Sequence, residues 1–334
     1  MTTNEPTAAP PGTEPRSLRT LIRAHVQIAR IDHWSKNVFV LPGILIPLLI
    51  EPRGTSSQLV FNIAVGLLSV SLIASSNYVL NEVLDAPYDR FHPTKRNRPA
   101  ARGIVNLPLA YGQWLVLMAV GLWLASLVSW QLVASTAALW LMGCIYNIPP
   151  VRTKDLPYLD VLTEAVNNPL RLFVGWFMVT TNLPPASLLV SYWMIGCYFM
   201  AIKRFSEYRE HGGEASLESY RSSFRHYSER RLLVSIMFYA STGMLFLGAF
   251  IMRYRLELVL SFPFLAAVMA VYLYLGFEPG SATQNPESLH REPALMASVI
   301  LCALAMAILM KVNIPAMHKF FSPTMPTTQV SGHR

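Results

Sequence analysis

The sequence predicts an all-α integral membrane protein built from nine transmembrane helices. Its 334 residues are 53% hydrophobic and only 14% charged, which is too apolar for the surface of a soluble domain. An uninterrupted apolar run of about 20 residues is long enough to cross the hydrocarbon core as a helix. Such runs lie near 37–52, 58–80, 108–128, 130–147, 158–180, 185–204, 231–252, 256–277 and 294–312.

The boundaries of two runs leave the count open between eight and ten. The first run is short, and only Ser129 and Trp130 separate the third run from the fourth. Outside the runs, residues 1–17 predict a disordered cytoplasmic tail without a signal-peptide pattern, and residues 316–334 predict a flexible C-terminal tail. Residues 18–315 are then a single helical domain.

The positions of Lys and Arg predict the orientation, because cytoplasmic loops retain these residues. With nine spans and a cytoplasmic N-terminus, most of the 27 Lys and Arg residues fall in cytoplasmic segments. We therefore expect an integral membrane protein of the bacterial inner membrane, and we expect its active face to be cytoplasmic. The net charge of +8 does not require nucleic acid, since this bias and a phosphate-rich substrate account for it. The sequence leaves open whether the chain forms a homo-oligomer.

A polar stripe at the end of the second run carries the clearest chemical signal. If the helix continues, Asn81, Asp85 and Asp89 follow one another every four residues and share one face. Carboxylate and amide oxygens suit Mg²⁺, which commonly bridges carboxylates and substrate phosphates. The alternative is a surface helix whose acids pair with Arg90 and Lys95.

The loop after this stripe is rich in cations. Lys95, Arg96 and Arg98 lie among prolines, which would hold the loop in one shape. Guanidinium and ammonium groups bind phosphate oxygens well, which predicts a second phosphate site. Attraction to anionic lipid at the cytoplasmic face would explain the same cluster.

The fifth run contains charges inside the membrane. On a helical wheel Asp160, Glu164, Asn167 and Arg171 fall on one face, and Pro169 predicts a kink between them. A charge deep in hydrocarbon needs a polar cavity or a partner, which makes Arg171 and Asp160 candidate catalytic residues. The alternative is a structural ion pair between Arg171 and Glu164.

Weaker candidates flank other runs and would by themselves be explained as topological signals. Under the nine-span topology they open onto the same cytoplasmic face as the stripe, which favours a shared substrate site. These candidates are Lys36, Asn37, Lys154, Lys203, Arg204, Glu207 and Tyr220.

Together these motifs resemble a known family. The segments Asn81-(x3)-Asp85-(x3)-Asp89 and Asn97-Arg98-Pro99-(x3)-Gly103 resemble the first aspartate-rich motif of the UbiA superfamily of intramembrane prenyltransferases. Other segments look most like its decaprenyl-phosphate phosphoribosyltransferase branch. They are Trp34-Ser-Lys36-Asn37, His92-Pro-Thr-Lys95-Arg96, Lys154-(x5)-Asp160-(x10)-Arg171, Lys203-Arg204-(x2)-Glu207 and Ser216-Leu-Glu-Ser-Tyr220. Glu82 departs from the pattern, since an aspartate usually follows the first Asn of the motif, and Glu164 is unexpected for this branch.

The resemblance implies a nine-helix UbiA-like bundle in which Mg²⁺ on Asp85 and Asp89, with Asn81, holds a diphosphate over a membrane cavity. It implies transfer of phosphoribose from phosphoribosyl diphosphate to a polyprenyl phosphate. Arg171 would hold the lipid phosphate, and Asp160 would orient it or take a second metal. The alternative within the family is prenyl transfer from a prenyl diphosphate to an aromatic or other acceptor. A transporter would place polar groups at mid-membrane in several helices, whereas here only the fifth run has them.

Overall fold

The computed structural model describes residues 17–50, 56–90, 95–210, 222–284 and 286–322. All regular structure within these ranges is helical, as predicted, and short 3₁₀ helices such as Ile31–Val40 join several of the α-helices. The α-helices are α1 (Leu18–Ile28), α2 (Leu41–Ile50), α3 (Ser57–Asp89), α4 (Leu107–Ser126), α5 (Trp130–Asn147), α6 (Leu159–Ala165), α7 (Asn167–Val179), α8 (Ala186–Glu210), α9 (Glu229–Tyr254), α10 (Phe262–Phe277), α11 (Pro293–Leu309) and α12 (Pro315–Phe320).

Several helical segments are long and apolar enough to cross a bilayer, which supports an integral membrane protein. Within the described ranges six reach that length and hydropathy, and Pro293–Leu309 is a shorter apolar helix. The six are Leu18–Ile50, Ser57–Asp89, Leu107–Ser126, Ala186–Glu210, Glu229–Tyr254 and Leu256–Phe277. The count of nine spans therefore stays a prediction.

Polar caps set where several helices begin. The side chains of Ser56, Asn106, Ser129 and Ser228 each accept a hydrogen bond from the backbone N–H three residues later. Such caps satisfy N–H groups that have no partner inside the helix. Ser129 thereby separates α4 from α5, so the third and fourth apolar runs are two helices.

The fifth apolar run is interrupted, as its proline predicts. The run forms α6 and α7 with a break at Val166, and Pro169 stands four residues after Ala165, the last residue of α6. A proline ring clashes with the carbonyl four residues earlier in a continuous helix, which explains the position of the break. The Asn167 amide donates to the Glu164 carbonyl oxygen at 3.1 Å. The wheel that placed Asp160 and Arg171 on one straight face therefore does not describe this segment.

Three hydrophobic clusters hold the helices together. One joins α6, α8, α9, α10 and α11 around Phe205 and Leu232. A second includes α2, α3, α4, α5 and α7 and lies around Ile73 and Leu172. The third is smaller and packs residues 100–105 against α1, α3 and α4. This last cluster fixes the cation-rich loop beside the polar end of α3.

The structure continues in regular form beyond the predicted domain boundary at residue 315. Helix α12 lies within the predicted flexible tail, residues 316–334. The buried carboxylate of Glu257 accepts the backbone N–H of Ile314 at 3.2 Å and lies 3.0 Å from His318 Nε2. These bonds explain why α12 is attached to the bundle. The predicted tail at 1–17 lies almost wholly outside the described residues, and α1 begins at Leu18.

Helices α2 and α7 meet through two glycines. A Cβ atom added to Gly43 would overlap the carbonyl oxygen of Leu172, and one added to Gly175 would overlap that of Val40. Small residues allow helix backbones to approach closely inside a membrane, where packing is the main source of helix association. The contact fixes α7, which carries Arg171, against α2.

We expect Gly175→Ala to lower the free energy of unfolding by about 1–3 kcal/mol, because overpacking forces the two backbones apart. Gly248→Ala in α9 is the matched control, since a Cβ there meets no atom within 4 Å. Thermal unfolding of both variants in detergent checks the expectation. An unchanged melting temperature for Gly175→Ala would contradict the close contact.

Candidate active site

The polar stripe on α3 meets the segment that follows α5. Asp85 Oδ1 accepts a hydrogen bond from Lys154 Nζ at 2.5 Å and another from Arg152 Nη2 at 3.2 Å. The Arg152 guanidinium also lies 2.8 Å from the carboxylate of Asp155 and 4.9 Å from the ring of Tyr88. Two stretches nearly 70 residues apart in sequence thus form one charged cluster.

Asparagine side chains extend this cluster. Asn81 Nδ2 donates to Asn147 Oδ1 at 2.6 Å, and Lys154 Nζ donates to the same oxygen at 2.9 Å. Lys154 is buried, and its ammonium group lies 5.9 Å from the ring of Tyr146. The buried amine is therefore held between an amide oxygen and the Asp85 carboxylate, as a desolvated charge requires.

Asp89 binds the cation-rich loop instead. Its carboxylate is buried and lies 2.6 Å from Arg98 Nη1. The neighbouring Arg90 Nε donates to the carbonyl oxygen of Ala101 at 3.2 Å. Lys95 and Arg96 begin the same loop in a 3₁₀ turn, where Arg96 is exposed. The end of α3 therefore presents both carboxylates and holds the predicted phosphate-binding loop beside them.

Asp160 is the centre of a second cluster. Its side chain is fully buried and accepts from Arg204 Nε at 3.0 Å, Tyr227 Oη at 2.6 Å and Ser223 Oγ at 3.4 Å. Arg204 Nη1 lies 2.7 Å from the Glu207 carboxylate. One guanidinium therefore bridges two buried carboxylates and ties α6 to α8, and Asp160 ties α6 to Ser223 and Tyr227.

Tyr227 acts as a fixed donor to Asp160. Its hydroxyl also accepts the backbone N–H of Tyr158 at 2.6 Å. Burial raises the pKa of Tyr227, and the charge of Asp160 and its hydrogen bond raise this pKa further. The phenol therefore keeps its proton at any physiological pH.

The two clusters are neighbours. Tyr146, whose ring faces Lys154, also lies within electrostatic range of Arg204. The hydroxyls of Thr153 and Thr163 lie 2.9 Å apart and join the Lys154 segment to α6. The structure thus brings the Asp85 and Asp160 motifs to the same part of the bundle.

The remaining candidates from the sequence are Lys36, Asn37, Lys203 and Tyr220. Asn37 Nδ2 donates to Ser71 Oγ on α3 at 2.9 Å, and the adjacent Lys36 is partly buried. Lys203 precedes Arg204 on α8 and is also partly buried. Tyr220 lies outside the described residues.

Arg171 stands apart from the Asp160 cluster. Its Nε is buried and makes no hydrogen bond within the ranges that the structure describes, and none of the ion pairs found there joins it to Glu164 or Asp160. It lies within electrostatic range of Tyr192, whose hydroxyl donates to the Phe39 carbonyl oxygen at 3.2 Å. The alternative of a structural Arg171–Glu164 pair therefore has no support in the described chain.

The α3 carboxylates fit a hard divalent cation by their chemistry. No group of three or more His, Cys, Asp or Glu in the described chain is placed to hold a metal ion. Mg²⁺ does not need one, because it is usually bound by one or two carboxylates together with substrate phosphates and water. Asp85 and Asp89 supply two carboxylates, and Asn81 adds an amide. In the structure each of these acids is paired with a cation of the protein, Asp85 with Lys154 and Asp89 with Arg98.

Several residues of these clusters were not singled out from the sequence. From its position Arg152 contributes only to the Lys and Arg distribution, and Asn147 ends the mostly apolar α5 two residues before Pro149. An amide at that end of the helix was an available signal. Ser223 and Tyr227 lie in a loop about 65 residues after Asp160, and no spacing rule connects them to it.

Comparisons with known proteins show what this chain is similar to. A family model described as "UbiA prenyltransferase family" matches residues 39–289. A decaprenyl-phosphate phosphoribosyltransferase of Mycolicibacterium smegmatis is 30% identical over 228 residues, which cover 66% of this chain and 67% of that protein. One from Mycobacterium tuberculosis is 31% identical over 212 residues, covering 61% of this chain and 68% of that protein.

A solved structure shares the fold. The UbiA homolog from Archaeoglobus fulgidus bound to GPP and Mg²⁺ superposes with a TM-score of 0.66 and covers 86% of this chain and 100% of that one. The sequences are 19% identical, so this likeness concerns the fold.

Arg204→Met should lower the free energy of unfolding by about 3–5 kcal/mol, because it leaves Asp160 and Glu207 buried without their shared cation. Arg230→Met, at an exposed position of α9, should change stability by less than about 0.5 kcal/mol. Chemical denaturation of the purified protein in detergent compares the two variants. Equal stability would show that Arg204 does not hold this cluster together.

Proposed function

Because this chain belongs to the UbiA prenyltransferase family, we propose that it transfers 5-phosphoribose from phosphoribosyl diphosphate to a polyprenyl phosphate, with Mg²⁺ as cofactor. The observation that carries this proposal is the pairing of Asp89 with Arg98, which holds the loop of Lys95 and Arg96 beside the α3 carboxylates. A donor with a 5-phosphate in addition to its diphosphate needs such further cations. The names of the two mycobacterial relatives support the same reaction.

The diphosphate binds at the Asp85 cluster in this proposal. Asp85 and Asp89, with Asn81, would hold Mg²⁺, and the ion would supply positive charge to neutralise the leaving diphosphate. Lys154 and Arg152 already lie against Asp85 and are close enough to turn toward phosphate oxygens. Lys36 and Lys203 are further candidates for phosphate contacts.

The reaction forms a bond between the lipid phosphate oxygen and the anomeric carbon of ribose. The bond from that carbon to the diphosphate breaks, and the diphosphate leaves with the electron pair. A phosphate monoester has a second pKa near about 6 and is largely anionic at neutral pH, so no general base is needed. Catalysis then depends on positioning and on electrostatic stabilisation.

Asp160 and Arg171 have separate roles in the proposal. Asp160 is enclosed by Arg204, Tyr227 and Ser223, so we propose that it orients Arg204 near the diphosphate cluster. Arg171 lies on α7, inside the predicted fifth span, and its Nε is buried, so a cation in that position needs an anionic or polar partner. We propose that the phosphate of the lipid substrate is that partner.

The alternative is prenyl transfer from a prenyl diphosphate to an aromatic or other acceptor. It keeps the metal and diphosphate site and requires aromatic rings to stabilise an allyl cation. The rings at the Asp85 cluster already face cations, since the ammonium of Lys154 lies 5.9 Å from the ring of Tyr146 and the guanidinium of Arg152 lies 4.9 Å from that of Tyr88, which disfavours a further cation there. These contacts favour the phosphoribosyl reaction. In either case the excess of Lys and Arg in the predicted inward segments supports an active face toward the cytoplasm.

The two reactions are separated by one pair of assays. Membranes that contain the protein are incubated with Mg²⁺ and polyprenyl phosphate plus labelled phosphoribosyl diphosphate, or with a labelled prenyl diphosphate and an aromatic acceptor. Label in the lipid fraction of the first mixture alone supports our proposal. Product in the second mixture alone would establish prenyl transfer.

Asp85→Asn and Asp89→Asn should each lower kcat by about 10²–10³-fold, because each removes charge that stabilises the transition state. Glu229→Gln, at an exposed position of α9, is the control and should retain the parent rate. Initial rates at saturating substrate and increasing Mg²⁺ provide the measurement. Parent-like rates in both Asn variants would show that neither acid takes part in the reaction.

Replacing Lys95 and Arg96 together with alanine should weaken binding of phosphoribosyl diphosphate by roughly tenfold to a hundredfold, the effect of losing a charged hydrogen-bond partner. Binding of inorganic diphosphate with Mg²⁺ should change less, because that ligand lacks the 5-phosphate. Calorimetry on parent and variant gives both affinities. Equal losses for the two ligands would favour the prenyl-diphosphate reaction.

A further inference from the structure

Glu82 is a buried acid next to the candidate site with no role in the reaction described above. Its side chain is 3% exposed, and Oε2 lies 3.4 Å from Arg30 Nε. Oε1 accepts the backbone N–H of Ala100 at 3.5 Å. Glu82 therefore connects the start of the chain to the loop that carries Arg98.

The loop is attached to α3 at three points. Glu82 binds Ala100, Asp89 binds Arg98 at 2.6 Å, and Arg90 Nε donates to Ala101 at 3.2 Å. Backbone bonds from Arg102 N–H to Arg98 and from Ile104 N–H to Pro99 make the loop compact. Ala100 and Arg98 therefore belong to one hydrogen-bonded loop that is attached to the end of α3.

A different role for Glu82 is suggested by its spacing. It directly follows Asn81 and precedes Asp85 by three residues, so a third metal-binding carboxylate would be a natural assignment. Its oxygens nevertheless point to Arg30 and to the backbone of Ala100, where Ala100 packs in the small cluster with Ile28 and Val83. The contacts favour a role in positioning the loop.

We propose that Glu82 is a positioning residue that fixes the loop of residues 95–103, and with it Arg98, for binding of the phosphorylated donor. The chain length of glutamate is essential to this role. The Ala100 contact is already at 3.5 Å, so an aspartate, one methylene shorter, does not reach it. Glutamine keeps the length and the acceptor oxygen and loses only the charge.

The positioning role and a metal-binding role predict opposite results for two conservative variants, Glu82→Gln and Glu82→Asp. The two roles differ in which variant retains more function. If Glu82 positions the loop, Glu82→Gln stays close to the parent, whereas Glu82→Asp raises the KM for phosphoribosyl diphosphate about tenfold with a smaller change in kcat. If Glu82 is a metal ligand, Glu82→Asp retains more function and Glu82→Gln weakens binding of Mn²⁺ with inorganic diphosphate. Electron paramagnetic resonance of Mn²⁺ measures that binding directly. Glu278→Gln, at an exposed position, is the control.

A second measurement needs no substrate. Arg96 and Arg102 are exposed in the loop, so limited trypsin digestion followed by mass spectrometry reports how firmly the loop is attached. We expect cleavage there to be several-fold faster in Glu82→Asp and Glu82→Ala than in the parent, with Glu82→Gln near the parent rate. Equal cleavage in all variants, or weaker Mn²⁺ binding in Glu82→Gln than in Glu82→Asp, would overturn the proposal. The inference rests on the proposed site, but loop cleavage and Mn²⁺ binding remain informative if phosphoribosyl transfer is not the reaction.

Discussion

The ion pair between Asp85 and Lys154 is the interaction on which the arrangement of the site depends. Both groups are largely removed from water, so either charge alone would carry a large desolvation cost. Their attraction brings the end of α3 to the segment after α5, and that segment continues through Thr153 and Thr163 to α6. The positions of Asn81, Asn147 and the Asp160 cluster follow from this connection, because all of them are built on the elements that it joins.

The same pairing sets the electrostatic state of the site before substrate arrives. Lys154 and Arg98 each lie within hydrogen-bonding distance of one α3 carboxylate. A metal ion that approaches these acids must compete with cations that belong to the protein. In the proposed reaction a diphosphate that arrived with its metal would remove that conflict, since its phosphate oxygens would offer the ammonium and guanidinium groups new partners. The charges of protein and ligand therefore favour binding of the metal and the diphosphate together over binding of the metal alone.

Much of the fold could be predicted from sequence because hydrocarbon imposes simple rules. Long apolar runs predict most of the helices. Ser129 indicates the division between α4 and α5, because a residue that caps a helix can be recognised from the neighbouring sequence. The Asp85 and Asp160 motifs were recognised separately, but their meeting through Tyr146 and Thr153 is a tertiary property that no spacing encodes. The predicted polar stripe from Asp160 to Arg171 assumes one straight helix. The break at Val166 makes that geometry wrong, although Pro169 predicts such a break. The contact of Glu82 with Ala100 could not be predicted from the sequence either, since the donor is a backbone N–H, which every residue except proline has.

The close approach of Gly43 and Gly175 has a consequence for how the protein recognises lipid. Two backbones in contact cannot slide past each other without separating, so the height of Arg171 relative to α2 is fixed. If Arg171 holds the phosphate of the lipid substrate, as proposed, that contact would be made at a constant depth and would not involve the lipid tail. Selection by Arg171 would then depend on the head group and on the depth to which it enters the bundle, and lipids with the same head group and different chain lengths would bind alike.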